Sequence, residues 1–280
     1  MAAVTGESLE IAANAKRSDS RTEPNVTPLI LTYNEEANIA RALSSLQWAK
    51  RIVVLDSGST DSTESIAKAF SNVDWYVRPF DSAGLQWEYG IRRTDILTDY
   101  VLALGADMAP SEEFIRELKN EFLPKNYVGG IVRFEYRLHG QPLGGSLLRP
   151  RLMLFNAAKV QVSQRGHTEE FSVGGSTYRF KSAIIHDDRK PIERWVNSQL
   201  SYSALEANRL LADRSLRWRD SLRLMGIMPP VAAILAYIRA GGPFRGAAAA
   251  RYAYERATFE SLLALRLISS RLDDKKDSLE

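Results

Sequence analysis

The sequence predicts an α/β protein built on a mostly parallel sheet, with a helical region towards its C-terminal end. Three observations carry this. Between Val26 and Phe122, short apolar runs alternate with segments whose apolar residues recur at helical spacing. Polar clusters stand at the ends of three of those runs, where ligands sit in parallel sheets. From Pro191 onward the spacing is helical.

In chain order, "VTPLILTY" from Val26 reads as a strand, "EEANIARALSSL" as a helix, "RIVVLDS" as a strand and "TDSTESIAKAF" as a helix. "VDWYVRP", a helical stretch over 85–94, the strand "YVLALGA" and the helix "SEEFIRELKNEF" follow. Strands joined by helices of about three turns make βαβ units, hence the parallel sheet. After Pro124, "GGIVRFEYRLHGQPLGG" reads as strand and turn, and "PRLMLFNA" and "YRFKSAIIH" as strands. "PIERWVNSQLSYSALEANRLLA" and "GAAAARYAYERATFESLLALRLISS" are helices, with Trp195, Tyr202 and Leu205 on one flank expected in the core, the alternative being that the first of these helices lines a ligand site. Residues 1–25 read as a disordered polar tail without a secretory signal pattern.

Composition narrows the chemistry. The 280 residues are 45% hydrophobic and 25% charged, ordinary for a soluble domain with a sizeable core. There is no cysteine, so disulfides, thiolate zinc sites and cysteine nucleophiles are excluded, and a metal must use oxygen or imidazole ligands. The longest uncharged stretch, 224–238, is short for a membrane span and contains Pro229 and Pro230. From Arg209 to Arg256 nine arginines oppose Asp213, Asp220 and Glu255, among Trp218, Met225, Met228, Tyr237, Phe244 and Tyr252. That pattern suits a helical region with a basic solvated face or an element resting on an anionic membrane. No nucleic-acid fold accompanies it, and nucleic acid is not an expected partner.

Three polar clusters end predicted strands: "TYNEE" at 32–36, "DSGSTDST" at 56–63 and "GADM" at 105–108. Singly, each has a structural explanation: Asn34 as a helix cap, Asp61 with Glu64 at capping-box spacing, Asp107 as the lead into a helix near Ser111. In one parallel sheet, however, all three converge on one edge and offer acids, hydroxyls and a glycine turn to one crevice, which makes a nucleotide pocket.

Residues 28–122, from "LILTYNEEANIARALSSLQWAKRIVVLDSGSTDST" through "WYVRPF" to "LALGADM", resemble the family 2 glycosyltransferases, above all the bacterial branch that builds lipopolysaccharide cores and surface polysaccharides. A weaker likeness continues through "GHTEEF" and "IIHDDRKPIERW". The resemblance implies a GT-A fold over 26–190, with a nucleotide-sugar half (26–124) and an acceptor half (125–190), followed by a helical region (191–280). It implies a nucleotide-sugar donor, commonly UDP-linked, and a lipid-linked or glycan acceptor. A cytoplasmic protein resting on the inner face of the plasma membrane is the expected setting.

By position, the resemblance puts Thr32, Tyr33, Asn34 and Glu35 against the nucleotide and Asp56 against the base, with Gly58 and Ser59 allowing close approach. Asp107, preceded by Ala106, matches the second acid of the D-x-D motif that holds Mg²⁺ or Mn²⁺, and Gly105 replaces the first, which tends to serve the ribose. One carboxylate suffices for such an ion, which keeps several waters. His186 is a further candidate ligand, with the alternative that Asp187 or Asp188 merely fixes its tautomer. After Gln86 the chain has Trp87 and Glu88 where relatives carry a basic residue and asparagine, and Arg78 is a substitute cation or a surface ion pair. For the base that takes the acceptor proton, "QRGHTEEF" supplies Glu169 first, Glu170 second, and the neighbouring His167. A non-catalytic binding subunit with the same fold is the alternative. A nucleotidyltransferase would need a glycine and lysine phosphate loop, which "LTYNEEANI" lacks.

Overall fold

The structure, a computed structural model, describes residues 25–165, 168–212 and 218–277. Residues 1–24 of the proposed tail and His167 therefore lie outside the described residues, while Asn25 is tied to Asp99 by two hydrogen bonds. The parallel part of the sheet follows the predicted order. Strands β1 (Val26–Thr32), β2 (Ile52–Asp56), β3 (Val73–Val77) and β4 (Tyr100–Gly105) lie parallel in the order β3-β2-β1-β4. Helices α1 (Ile39–Ser44), α2 (Thr63–Lys68) and α3 (Ala83–Arg93) make the connections. The inner strands carry apolar runs because both faces are covered: Leu29, Ile30, Ile52 to Leu55 and Val101 to Leu104 are fully buried.

The sheet continues without a break into the second half, so the two predicted halves share one core. Past β4 come β8 (Arg151–Asn156), β6 (Gly129–Leu138), β11 (Thr177–Asp188) and β5 (Met108–Pro110), with β7 (Gln141–Pro142) on β6. Here the pairing is mixed: β8 is antiparallel to β4 and β6, β6 and β11 are parallel, and β5 is antiparallel to β11. β5 escapes sequence reading because three residues are too few for a period. Ser111 caps α4 (Glu112–Glu117) by accepting from the Phe114 N–H at 3.1 Å, which gives "GADM" no capping duty. The segment around "QRGHTEEF" is a hairpin of β9 (Val160–Arg165) and β10 (Thr168–Val173), outside the main sheet.

The C-terminal helices are α5 (Ile192–Ala212), α6 (Trp218–Leu224), α7 (Met228–Arg239) and α8 (Gly246–Asp277). Several of the expected basic-face arginines turn inward. Arg209 meets Glu206 at 2.9 Å and Asp220 at 3.1 Å, and Arg223 meets Glu206 at 2.9 Å and Glu260 at 2.7 Å. These pairs tie α5, α6 and α8 together. A second apolar cluster joins Ala236 and Ala240 of α7 to Ala248, Ala249 and Tyr252 of α8 and to Leu138 of β6. No described helix is long and apolar enough to cross a membrane.

Candidate functional site

Thr32 pairs in register with Asp56, and Leu31 with Gly105, so the three predicted clusters meet on one sheet edge. Each cluster then does a separate job. Asp56 is buried and folds its own turn: one carboxylate oxygen accepts from the Gly58 and Ser59 N–H groups at 2.8 and 2.7 Å, the other from the Ser59 hydroxyl at 2.5 Å. Gly58 takes φ +94°, open to glycine at little cost. Asn34 braces the neighbouring loop, not a helix: its side-chain oxygen accepts from Thr60 N–H at 2.6 Å, and its own N–H donates to Ser59 Oγ at 2.7 Å. Asp61 stands one residue before the N-cap Ser62 of α2 and accepts from Thr63 N–H at 3.0 Å, while Glu64 pairs with Lys68 at 2.6 Å instead of closing a capping box. Tyr33 is exposed, with the Arg194 guanidinium 5.9 Å from its ring centroid.

Beyond Gly105 the chain turns at Ala106 and Asp107 into β5. The β5–β11 register sets His186 opposite Met108, and so beside Asp107. His186 Nε2 lies 3.4 Å from Asp107 Oδ2. The imidazole stacks on Tyr136 at 4.7 Å, and its buried Nδ1 has no hydrogen-bond partner among the described residues. The carboxylate of Asp107 also leans over Gly105, where an added Cβ would stand 2.7 Å from Oδ1.

A lysine that sequence reasoning passed over completes the cluster. Lys190 Nζ lies 2.6 Å from Glu35 Oε1 and 3.2 Å from Asp188 Oδ2. Asn38 donates to Glu35 at 2.8 Å and to Asp188 at 3.0 Å. Burial alone would lower the Lys190 pKa, but the charges of Asp107, Glu35 and Asp188 outweigh it and hold the ammonium above its ordinary value. Burial pushes the Glu35 carboxyl up to about 7 against the opposing pull of Lys190. Neither neighbouring acid orients His186: Asp187 accepts from Gly140 N–H at 3.1 Å and from Arg189 at 2.9 Å, and Asp188 faces Asn38 and Lys190. Only the "HDDRK" spacing hinted at Lys190. Its partner Glu35 is 155 positions away.

Glu35, Ala106, Asp107, His186 and Lys190 border one cavity of about 590 Å³. Its opposite wall is helical. Trp195 and Tyr202 of α5 face this space, the alternative to a place in the core, and Leu205 is half exposed. Asp107 and His186 can serve as adjacent ligands of one ion, since neighbouring ligands at ~2.1 Å from an octahedral ion stand roughly 3 Å apart. Among the described residues no group of three or more His, Asp or Glu side chains is placed to hold a metal, so water and a bound anion would supply the remaining ligands.

Other predicted residues stand off the cavity. Arg78 is spent in a bidentate pair with Asp81 at 2.6 and 2.9 Å and also donates to Gln86. Gln86, buried, ties α3 to the strand ends through Ser57 Oγ at 3.1 Å. Trp87 is core, its ring edge-on to Phe171 of β10 at 5.5 Å, and Glu88 pairs with Arg92. Glu169 is ion-paired with Arg151, Glu170 is exposed, and neither borders the cavity.

The first and fourth parallel strands lead Glu35 and Asp107 to one cavity, closed by a histidine and a lysine from the last strand and its exit, while Thr32, Tyr33, Asn34, Asp56, Gly58 and Ser59 lie on the same sheet edge without bordering it; this is the layout of a ligand site of an α/β enzyme. The chain belongs to glycosyl transferase family 2, whose sequence pattern matches residues 29–184. Membership brings with it the GT-A type of fold. The chain is 22% identical to the lipopolysaccharide core biosynthesis glycosyltransferase LpsC of Rhizobium meliloti (strain 1021), over 77% of this chain and 82% of that one. It is 25% identical to the uncharacterized glycosyltransferase RP128 of Rickettsia prowazekii (strain Madrid E), over 66% and 68%. Among solved structures it is similar to S. aureus TarS (residues 1–349) in complex with UDP, with TM-score 0.46, 12% identity and 89% and 91% of the two chains covered. It is similar also to glucosyl-3-phosphoglycerate synthase from Mycobacterium tuberculosis in complex with Mn²⁺, UDP and phosphoglyceric acid, with TM-score 0.43, 16% identity and 70% and 81% covered.

Proposed function

We propose that the protein transfers a hexose from a UDP-sugar, with inversion, to a lipid-linked or surface-polysaccharide acceptor, in peripheral contact with an anionic membrane. The observation that supports this best is the meeting of Asp107, His186, Glu35 and Lys190 in one cavity at the carboxyl edge of the parallel strands. The likeness to a lipopolysaccharide core enzyme favours that acceptor class.

In this reading the Thr32–Asn34 and Asp56–Ser59 loops receive the nucleoside. Asp107 and His186 would hold Mg²⁺ or Mn²⁺, which neutralises charge on a departing diphosphate as a Lewis acid. Lys190 adds a fixed ammonium, positioned by Glu35 and Asp188 before the donor arrives. The helical wall of Trp195 and Tyr202 excludes water and takes the acceptor. Glu169, with Glu170 second and His167 beside them, is the base this reading assigns to the acceptor proton, and to serve it Glu169 must leave Arg151 and approach the cavity that it does not border here. Its hairpin reaches the donor side through α3, where Gly84 N–H donates to Gln164 at 2.7 Å.

Gly105 and the Glu169–Arg151 pair favour one competing reading, a non-catalytic binding subunit of a polysaccharide assembly. A panel of nucleotide-sugars, assayed for release of free nucleoside diphosphate with Mn²⁺ and with chelator, separates the two. Release from a UDP-sugar that stops with chelator is the expected result. No release from any donor, together with retained nucleotide binding, would establish the binding subunit.

A further inference from the structure

Helix α7 is built inside out for a helix of a water-soluble surface. Its small residues face the protein: Ala232, Ala236 and Ala240 are buried, the last two against Ala248, Ala249 and Tyr252. Its large aliphatic residues face away. Ile227, Val231, Ile234, Leu235 and Ile238 fall within an arc of about 100° on the opposite side, at the ~100° per residue of an α-helix. Ile234 is 60% exposed and Ile238 66%, and Phe244, just past the helix, is 94% exposed. An amphipathic helix in water buries its large apolar side chains, so this face is fitted to a non-aqueous surface.

Charge indicates which surface. From Ser221 to Tyr254 the sequence contains no acidic residue and four arginines. Arg223 and Arg251 are engaged with Glu260 and Glu255. Arg239 and Arg245 are exposed beside the apolar face, with no acidic partner among the described residues. The 12 residues of α7 span roughly 18 Å, well short of the ~30 Å hydrocarbon core, so α7 can lie in the interface but not cross it. A second copy of the chain suits the face less well: a two-fold contact would bring two sets of these arginines together with no acid of the same segment to pair with them.

We propose that the outer face of α7, with Phe244, Arg239 and Arg245, seats this protein on an anionic lipid bilayer. This rests on the membrane contact proposed above and assigns it a surface and a lipid class. The same packing that fixes α7 fixes the cavity wall. Gly144 N–H donates to the Ala240 carbonyl at 2.8 Å, Leu147 N–H to the Tyr252 hydroxyl at 2.8 Å, and Leu147 and Leu148 border the cavity. A bilayer under α7 therefore brings the acceptor side of the cavity close to the headgroups.

The test is co-sedimentation of the full chain with vesicles of phosphatidylcholine alone and of phosphatidylcholine mixed with phosphatidylglycerol. The wild type is expected to pellet with the mixed vesicles, far less with the neutral ones, and progressively less as salt rises. Replacing the exposed Ile234, Ile238 and Phe244 with serine should abolish pelleting. Arg239→Ser with Arg245→Ser should weaken it about tenfold or more and flatten the salt dependence. UDP binding in solution is measured on the same samples, and it verifies that each variant is folded. Vesicle binding without UDP binding by the wild type would support the seat and sink the transferase reading. UDP binding by wild type that ignores both vesicles, or a triple-serine variant that pellets like wild type, would overturn the seat. Light scattering that shows a wild-type dimer split by the triple-serine variant would overturn it too, in favour of a second copy.

Discussion

The side chain that most shapes this site is one that is missing. Gly105 stands where the resemblance to the family puts the first D-x-D acid, and the Asp107 carboxylate leans into the space a side chain would need, since a Cβ there would stand 2.7 Å from Asp107 Oδ1. Gly105→Asp is therefore expected not to restore a standard site but to displace Asp107, lowering donor turnover by about tenfold to a hundredfold, the scale set by small misplacements of a catalytic group. Steady-state turnover of the wild type and G105D decides this, and a faster variant would refute it. Glu35 gives a pH signature. Its carboxyl is raised from 4.5 to about 7, chiefly by burial. Between those values the folded protein keeps a proton that the unfolded chain has lost, so stability falls as pH rises through that window, and the whole penalty stands above it. Glu35→Gln should flatten the profile. Urea midpoints of both proteins at about pH 5 and about pH 8 measure the slope; an equal fall in the two would show that another group carries it.

At the scale of elements, β11 is the strand on which the site depends, because it brings His186 to Asp107 and runs on into Lys190. Its pairing with β6 slips between Arg179 and Ala183. The carboxylate of Glu117 in α4 closes that irregularity, accepting from the N–H groups of Lys181 and Ser182 at 2.9 and 2.8 Å and from the Tyr178 hydroxyl at 2.7 Å. Burial would raise the Glu117 pKa, and these donors more than offset it. Glu117→Ala leaves two backbone donors without their acceptor and should cost about 1–3 kcal/mol. Urea unfolding reads the change, and a loss under half a kcal/mol, roughly the low end of a single hydrogen bond, would mean that water replaces the carboxylate freely. The helices pose a different problem. α5 and α8 are held by buried ion pairs, and α7 by a stripe of alanines, so large side chains are left for the outside.

Across the whole molecule, the parts legible in the sequence were those with a period or an order. Alternating strands and helices announced the parallel sheet, and in such a sheet Thr32, Asp56 and Gly105 must end on one edge, as they do. Contacts between distant segments were not legible. No local pattern says that Lys190 returns to Glu35, or that Arg151 captures Glu169. Periodicity showed that the C-terminal helices have two faces but not which face turns inward. It therefore favoured a core place for Trp195 and Tyr202 over the cavity wall that they form, and it could not foresee that α7 packs through alanine. Arginine counting likewise missed that Arg209 and Arg223 lie inside ion pairs, because their acids come from other helices.

In the function proposed above, the cavity binds the diphosphate of a nucleotide donor at Asp107, His186 and Lys190. Calorimetric titration of UDP and UMP into the wild type and Asp107→Ala, with Mn²⁺ and with chelator, tests it most directly. Mn²⁺ is expected to tighten UDP binding to the wild type by about tenfold or more and to leave UMP nearly unchanged, and Asp107→Ala to lose the enhancement but keep UMP. Equal UDP affinity in the wild type and Asp107→Ala, whatever the metal, would contradict it.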